Sequence, residues 1–195
     1  MPPDTPASLP LRIRDARPDD LPAVRDIYAH HVRRSVATFE LDPPAPEEMR
    51  ARHRAIVEQG LPFLVAEDEN GEILGYSYAA PYRARPAYRH TLEDSVYVRP
   101  GAAGRGIGRA LLAGLLARCA AGGWRQMVAV IGDSANAASV ALHAALGFEA
   151  VGTLRAVGYK HGRWVDTVLM QRALGEADAT PPGGALHPAQ VGAPR

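Results

Sequence analysis

The chain has 195 residues, 47% of them hydrophobic and 22% charged, with 22 basic against 21 acidic side chains and a formal net charge of +1. That length suits one domain of about 100–200 residues with short tails, and the balanced charge argues against a bulk binder of nucleic acid or another polyanion. The lone cysteine, Cys119, excludes an internal disulfide and a cysteine-based zinc site; no apolar run reaches the roughly 20 residues of a membrane span, and 1–10 lacks the regions of a signal peptide, so a cytoplasmic protein is expected.

Eight of the 17 prolines fall within residues 1–10 and 175–195, and the latter stretch has Leu186 and Val191 as its only large aliphatics. Such segments bury too little surface to offset their ordering entropy, so both are expected to be disordered around a domain spanning 11–174. Within the domain, Leu11–Arg14 alternates at period two, as a half-buried strand does. Asp19 or Asp20 then sits where it could cap a helix with apolar positions Leu21, Val24, Ile27, Tyr28 and Val32. After a proline-rich break, Glu47–Gln59 reads as a second helix with acids in its first turn. Phe63–Ala66 and Ile73–Ala80 read as strands joined by an Asn70-Gly71 turn. A strand at Leu92–Val98, a helix at Gly108–Ala121, a strand at Met127–Ile131 and a helix at Ala135–Leu146 follow, the last ended by Gly147. Strands at Glu149–Tyr159 and Arg163–Gln171 close the series. The order β-α-α-β-β-β-α-β-α-β-β predicts a mixed sheet with helices on both faces.

The sharpest signal is Val96-Tyr97-Val98-Arg99-Pro100-Gly101-Ala102-Ala103-Gly104-Arg105-Gly106-Ile107-Gly108-Arg109, a strand, a glycine-rich turn and a helix start. Glycines 104, 106 and 108 let the backbone approach a ligand, and the helix N-terminus adds partial positive charge, which together suit a phosphate group. Arg105 and Arg109 add charge beside it. The lysine and hydroxyl of a P-loop are missing, and no acid follows about 20 residues on as a dinucleotide fold requires.

Gly104-Arg105-Gly106-Ile107-Gly108 after the Val96–Val98 strand resembles motif A of the GNAT superfamily of N-acetyltransferases, and the element order matches too. The resemblance, which covers about 11–172, implies an α/β (α+β) fold with a twisted, mostly antiparallel sheet of about seven strands. It implies acetyl-CoA as cosubstrate and no metal. The amides of the turn would hold the pyrophosphate, with Gly104, Arg105, Gly106, Ile107, Gly108 and Arg109 around it and Val96, Tyr97 and Val98 along the pantetheine arm. Ala103 stands where arginine or glutamine is usual; because the motif works through backbone amides, the site is expected to survive. Asn136-Ala137-Ala138-Ser139-Val140-Ala141-Leu142-His143, ahead of Gly147-Phe148, resembles a second family stretch, with His143 replacing a tyrosine. Asn136, Ser139 and His143 share one face of that helix.

His143, the Ser35–Glu40 and Arg83–Tyr88 segments and the Leu154–Asp166 stretch are similar to the phosphinothricin N-acetyltransferase branch. That likeness implies acetylation of the α-amine of a small glutamate-like amino acid (phosphinothricin, methionine sulfoximine or methionine sulfone) by a homodimer, a role tied to herbicide or antibiotic resistance. By the same likeness Glu93 corresponds to the catalytic glutamate. Asp94 would face the opposite side of a regular strand, although a bulge would exchange the two. His143 is a proton-relay candidate, as base for the amine or acid for the thiolate. Arg83 and Arg85 suit acidic oxygens; with Tyr88 and Phe39 they form the expected acceptor site. His30, His31 and His53 lack metal-ligand spacing, and Cys119 reads as core. A polyamine, aminoglycoside or protein N-terminus as acceptor, or a catalytically silent acyl-CoA sensor, are the alternatives.

Overall fold

Period-two alternation in the strands and three-to-four spacing in the helices resolve into the predicted series of elements. A computed structural model describes residues 11–182; the tail expected at 1–10, and residues 183–195 of the one expected at 175–195, lie outside the described residues. The strands are β1 (Arg12–Asp15), β2 (Phe63–Glu67), β3 (Ile73–Pro81), β4 (Thr91–Val98), β5 (Gln126–Gly132), β6 (Glu149–Lys160) and β7 (Arg163–Ala173). The helices are α1 (Leu21–Arg34), α2 (Pro46–Glu58), α3 (Ile107–Ala121) and α4 (Ala137–Ala144). One seven-stranded sheet has the order β1-β2-β3-β4-β5-β7-β6, antiparallel throughout except for the β4–β5 pair.

Side-chain alternation sorts the layers. Tyr76 and Tyr78 of β3, with Phe63 of β2, face Tyr28 of α1 and Met49 and Ile56 of α2. The rings of Phe63, Tyr76 and Tyr97 stack at 5.3–5.8 Å. Ser77, one residue out of phase, donates to the Leu111 carbonyl of α3 on the other face. Beside it, a Cβ on Gly75 would lie 3.0 Å from Leu111 Cδ1, so the absent side chain lets α3 settle onto the sheet. Leu64 and Val65 are both fully buried because β2 is covered on both faces, which explains its unbroken apolar run. Leu111, Leu112, Leu115, Leu116 and Cys119 bury one side of α3.

Three details depart from expectation. Asp20 occupies the position before α1, yet its carboxylate makes no cap. It accepts from the Arg17 amide at 2.6 Å and from the Arg14 guanidinium at 2.6 and 2.9 Å, because a 3-10 turn at Pro18–Asp20 points it back at β1. Helix α4 is shorter than Ala135–Leu146, because Asn136 takes the N-cap and accepts from the Ser139 amide. Residues 175–180 are tied down, contrary to a disordered tail beginning at Gly175. Arg125, just before β5, donates to Glu176 at 3.2 Å and to the Thr180 hydroxyl at 3.3 Å.

Candidate active site

Strands β4 and β5 run side by side for four residue pairs, from Thr91–Gln126 to Asp94–Ala129, and then part. Beyond that point Ser95–Val98 pairs only with β3, and Val130–Gly132 only with β7. The fork leaves two strand edges facing each other across a cleft of about 670 Å³. Its walls are Ser95–Val98, Ala129–Gly132, the start of α3, one face of α4 and the Ser35–Ala37 segment after α1.

The glycine-rich turn closes one end. Gly104 and Gly106 both have φ of +79°, a left-handed conformation that side-chain-bearing residues rarely adopt, and a Cβ on either would meet no atom within 4 Å. The turn is thus shaped by backbone and leaves open space above it. Gly106 is the N-cap of α3, whose first hydrogen bond runs from the Ala110 amide to the Gly106 carbonyl, so the amides ahead of it have no helical partner. Those donors, the helix dipole and Arg109 on the cleft wall make a fitting seat for a phosphate.

The apex of the fork carries the titratable groups. His143 and Asp94 face each other from α4 and β4, His143 Nε2 standing 3.0 Å from Asp94 Oδ2 with both side chains at most 3% exposed. The other ring nitrogen, Nδ1, is 2.7 Å from the Ser139 carbonyl, and the Phe148 ring packs edge-on at 5.0 Å. Burial pushes the imidazole pKa down, but the hydrogen bond and charge of Asp94, with the Ser139 carbonyl, outweigh it and hold the value above the ordinary 6.5. Glu93 points the other way, because β4 pairs with β3 without a bulge. Burial raises its carboxyl above the usual range, Asp94 adds to the rise, and the charge of Arg83 draws it back. A carboxylate so raised is a stronger base near neutral pH.

The Acetyltransferase (GNAT) domain model matches residues 13–169. The chain belongs to the GNAT acetyltransferase family. GNAT relatives include the phosphinothricin N-acetyltransferase of Alcaligenes faecalis, 58% identical over 170 residues that span 87% of this chain and 86% of that one. The L-methionine sulfoximine/L-methionine sulfone acetyltransferase of Pseudomonas aeruginosa is 41% identical over 87% of this chain and 98% of its own. Among solved GNAT structures, the phosphinothricin acetyltransferase of Sinorhizobium meliloti in complex with AcCoA is 49% identical. It superposes with a TM-score of 0.88 over 92% of this chain and 96% of that one.

Of the residues that the GNAT motifs single out, Val96, Tyr97, Val98, Gly104, Gly106, Ile107, Gly108, Arg109, Asn136, Ser139 and His143 all line the cleft. Arg105 is exposed in the turn and does not line the cleft. Asn136 lines the wall with its side-chain oxygen already engaged in capping α4. The expected acceptor residues Phe39, Arg83, Arg85 and Tyr88 lie outside this cleft. Phe39 packs against Gly158 of β6, its ring filling the space a Cβ there would take. Arg83 lies 5.0 Å over the Tyr82 ring, which meets Tyr88 edge-on, in the β3–β4 loop near Glu93. Sequence reasoning gave no site role to His31, whose ring sits 2.9 Å from the Val98 carbonyl, or to Asp94 as partner of His143. Among the described residues no three His, Cys, Asp or Glu side chains gather as a metal site, and no helix is long and apolar enough to cross a membrane.

Proposed function

We propose that this chain transfers acetyl from acetyl-CoA to the α-amine of a small glutamate-like amino acid, with phosphinothricin, methionine sulfoximine and methionine sulfone as acceptors. The observation that carries the reading is the fork between β4 and β5, with a glycine-shaped anion seat at one end and titratable groups at its apex. The amides from Gly104 to Gly108 would take the pyrophosphate, and the free edge of Val96–Val98 would pair with the pantetheine amides, as a strand pairs with a peptide. Glu93 is the base that draws the proton from the acceptor ammonium, and His143 handles a second proton. Arg83 and Arg85 meet the acidic oxygens of the acceptor, and Tyr88 and Phe39 shape its approach. The names of the relatives support this choice of acceptor.

The working unit is a homodimer in the cytoplasm. Val151, Leu154, Val157, Tyr159 and Trp164, 48–64% exposed, all belong to the β6–β7 hairpin, where a second copy would cover them. Cys119, a buried free thiol, suits a reducing compartment.

Release of the CoA thiol with phosphinothricin, methionine sulfoximine, methionine sulfone, spermidine and a peptide as acceptors tests the reading. Turnover on the first three alone is expected. Turnover on spermidine or the peptide alone would overturn the acceptor, and silence on all five with tight CoA binding would favour a sensor.

A further inference from the structure

Hydrogen-bond chemistry fixes the proton count of the Asp94–His143 pair. Nδ1 of His143 faces the backbone carbonyl of Ser139 at 2.7 Å. A carbonyl only accepts, so Nδ1 carries a hydrogen. The neutral tautomer with that hydrogen leaves a lone pair on Nε2, which would then point at a carboxylate oxygen 3.0 Å away inside the protein. Two lone pairs at that distance, with both side chains buried, repel; a proton between them removes the conflict. The pair therefore holds two protons, one on Nδ1 and one shared by Nε2 and Oδ2, and is neutral as a unit. Asp94 Oδ1 is also buried with no hydrogen-bond partner, and both residues line the cleft, so the unit is not sealed into a closed network.

We propose that Asp94 is a positioning residue that keeps the shared proton on His143, so the pair enters acetyl transfer as a proton donor and not as the base. This rests on the acetyltransferase reading above. The amine nitrogen forms its bond to the thioester carbonyl carbon, the carbon–sulfur bond breaks, and its electron pair goes to sulfur. The sulfur takes the shared proton, leaving the pair with the Nδ1 hydrogen alone and one negative charge, which a proton from solvent then restores. The proton of the acceptor ammonium goes to Glu93 on the opposite face of β4. Few other titratable groups stand near the pair. Glu93 is its neighbour on β4, and Cys119 approaches from α3 with its thiol pushed up to about 12 by burial and by Asp94, so it stays neutral. Arg109, His31 and Asp133 share the cleft wall.

The test uses the full chain with 15N-labelled histidine, the His143 signals being assigned by their loss in His143→Gln. In the wild type both ring nitrogens of His143 are expected to carry hydrogen near neutral pH. In Asp94→Asn, whose amide can donate to Nε2, that nitrogen is expected to be bare. A wild-type Nε2 without hydrogen at neutral pH would overturn the proposal; this readout needs no acceptor, so it stands apart from the failure of any activity assay. In kinetics, Asp94→Asn should move the alkaline limb of kcat down by at least one pH unit while KM for acetyl-CoA stays within twofold. A limb that stays in place, or an equal loss in kcat at every pH, would reduce Asp94 to a packing role.

Discussion

Two buried charge clusters stand at different places in the sheet and are built to different rules. At the β1 edge, Arg14 donates to Asp20 at 2.6 and 2.9 Å and also to Glu67, all three side chains being 10–17% exposed. The planar fork of the arginine meets both carboxylates, and the Arg17 amide meets Asp20 as well. At the fork of β4 and β5, Asp94 and His143 are buried more deeply, yet one carboxylate oxygen has no partner. A cluster in which no buried polar atom lacks a partner fixes β1, β2 and the entry to α1 in one arrangement. A cluster left one bond short beside a cleft keeps a proton that can leave. Burial alone does not separate structural charge from chemical charge; completeness of the hydrogen bonding does.

Breaking each cluster should therefore show in a different measurement. Arg14→Ala takes the guanidinium from both Glu67 and Asp20, leaving Asp20 only the Arg17 amide, and is expected to cost about 3–5 kcal/mol in urea unfolding, with kcat of the folded fraction unchanged. A cost below about 1 kcal/mol would remove the structural role. Glu93→Gln should do the reverse, lowering kcat on the order of 10²-fold or more, equivalent to about 2.7 kcal/mol, with melting temperature and KM for acetyl-CoA held. Parallel losses in turnover and in acetyl-CoA affinity would count against Glu93 as base. Gly106→Val forces a branched side chain into a left-handed position at about 1–3 kcal/mol of strain and fills the space above the turn. Calorimetry should then detect no acetyl-CoA binding, whereas normal binding would reassign the anion seat.

The smallest effect is the most discriminating. Asp20 is held below its ordinary 3.8, chiefly by Arg14, so its contribution to stability is present above that value and is lost as pH falls through the depressed one. His143 is held above 6.5, so its contribution is complete below 6.5 and is lost as pH rises through the raised value. Unfolding free energies measured across pH should fall at both ends, with Arg14→Ala flattening the acid side and Asp94→Asn the alkaline side. An alkaline slope that survives Asp94→Asn would belong to another group.

Much of the molecule is legible in its sequence. The eleven elements appear in the predicted order because apolar spacing is a local property, and the anion seat follows from three glycines before an amphipathic helix. The partner of His143 is not legible there. It depends on which face of β4 receives α4, and that is set by α3 and α4 packing together, with Gly108 bringing Leu142 to within 3.3 Å of where its Cβ would be. Asp20 has the sequence signature of a helix cap, but a 3-10 turn redirects it to Arg14, a residue on another element. Arg125 holding Glu176 is likewise a contact across 51 positions that composition could not signal. Asp166 binds the Ala156 amide with one oxygen and Ser134 with the other, so this member of the Leu154–Asp166 stretch braces the β6 bulge and the β5–α4 loop.

The parting of β4 and β5 also has a mechanical side. Among the described residues, four residue pairs are the only ladder joining the β1–β4 leaf of the sheet to the β5–β7 leaf. A ligand whose amides bond to both free edges would act as an eighth, non-protein strand, completing the sheet where the chain leaves it open. Donor binding and the cohesion of the two leaves are then one event: the amides of Ser95–Val98 and Val130–Gly132 should gain their strongest protection from hydrogen exchange when the thioester arrives.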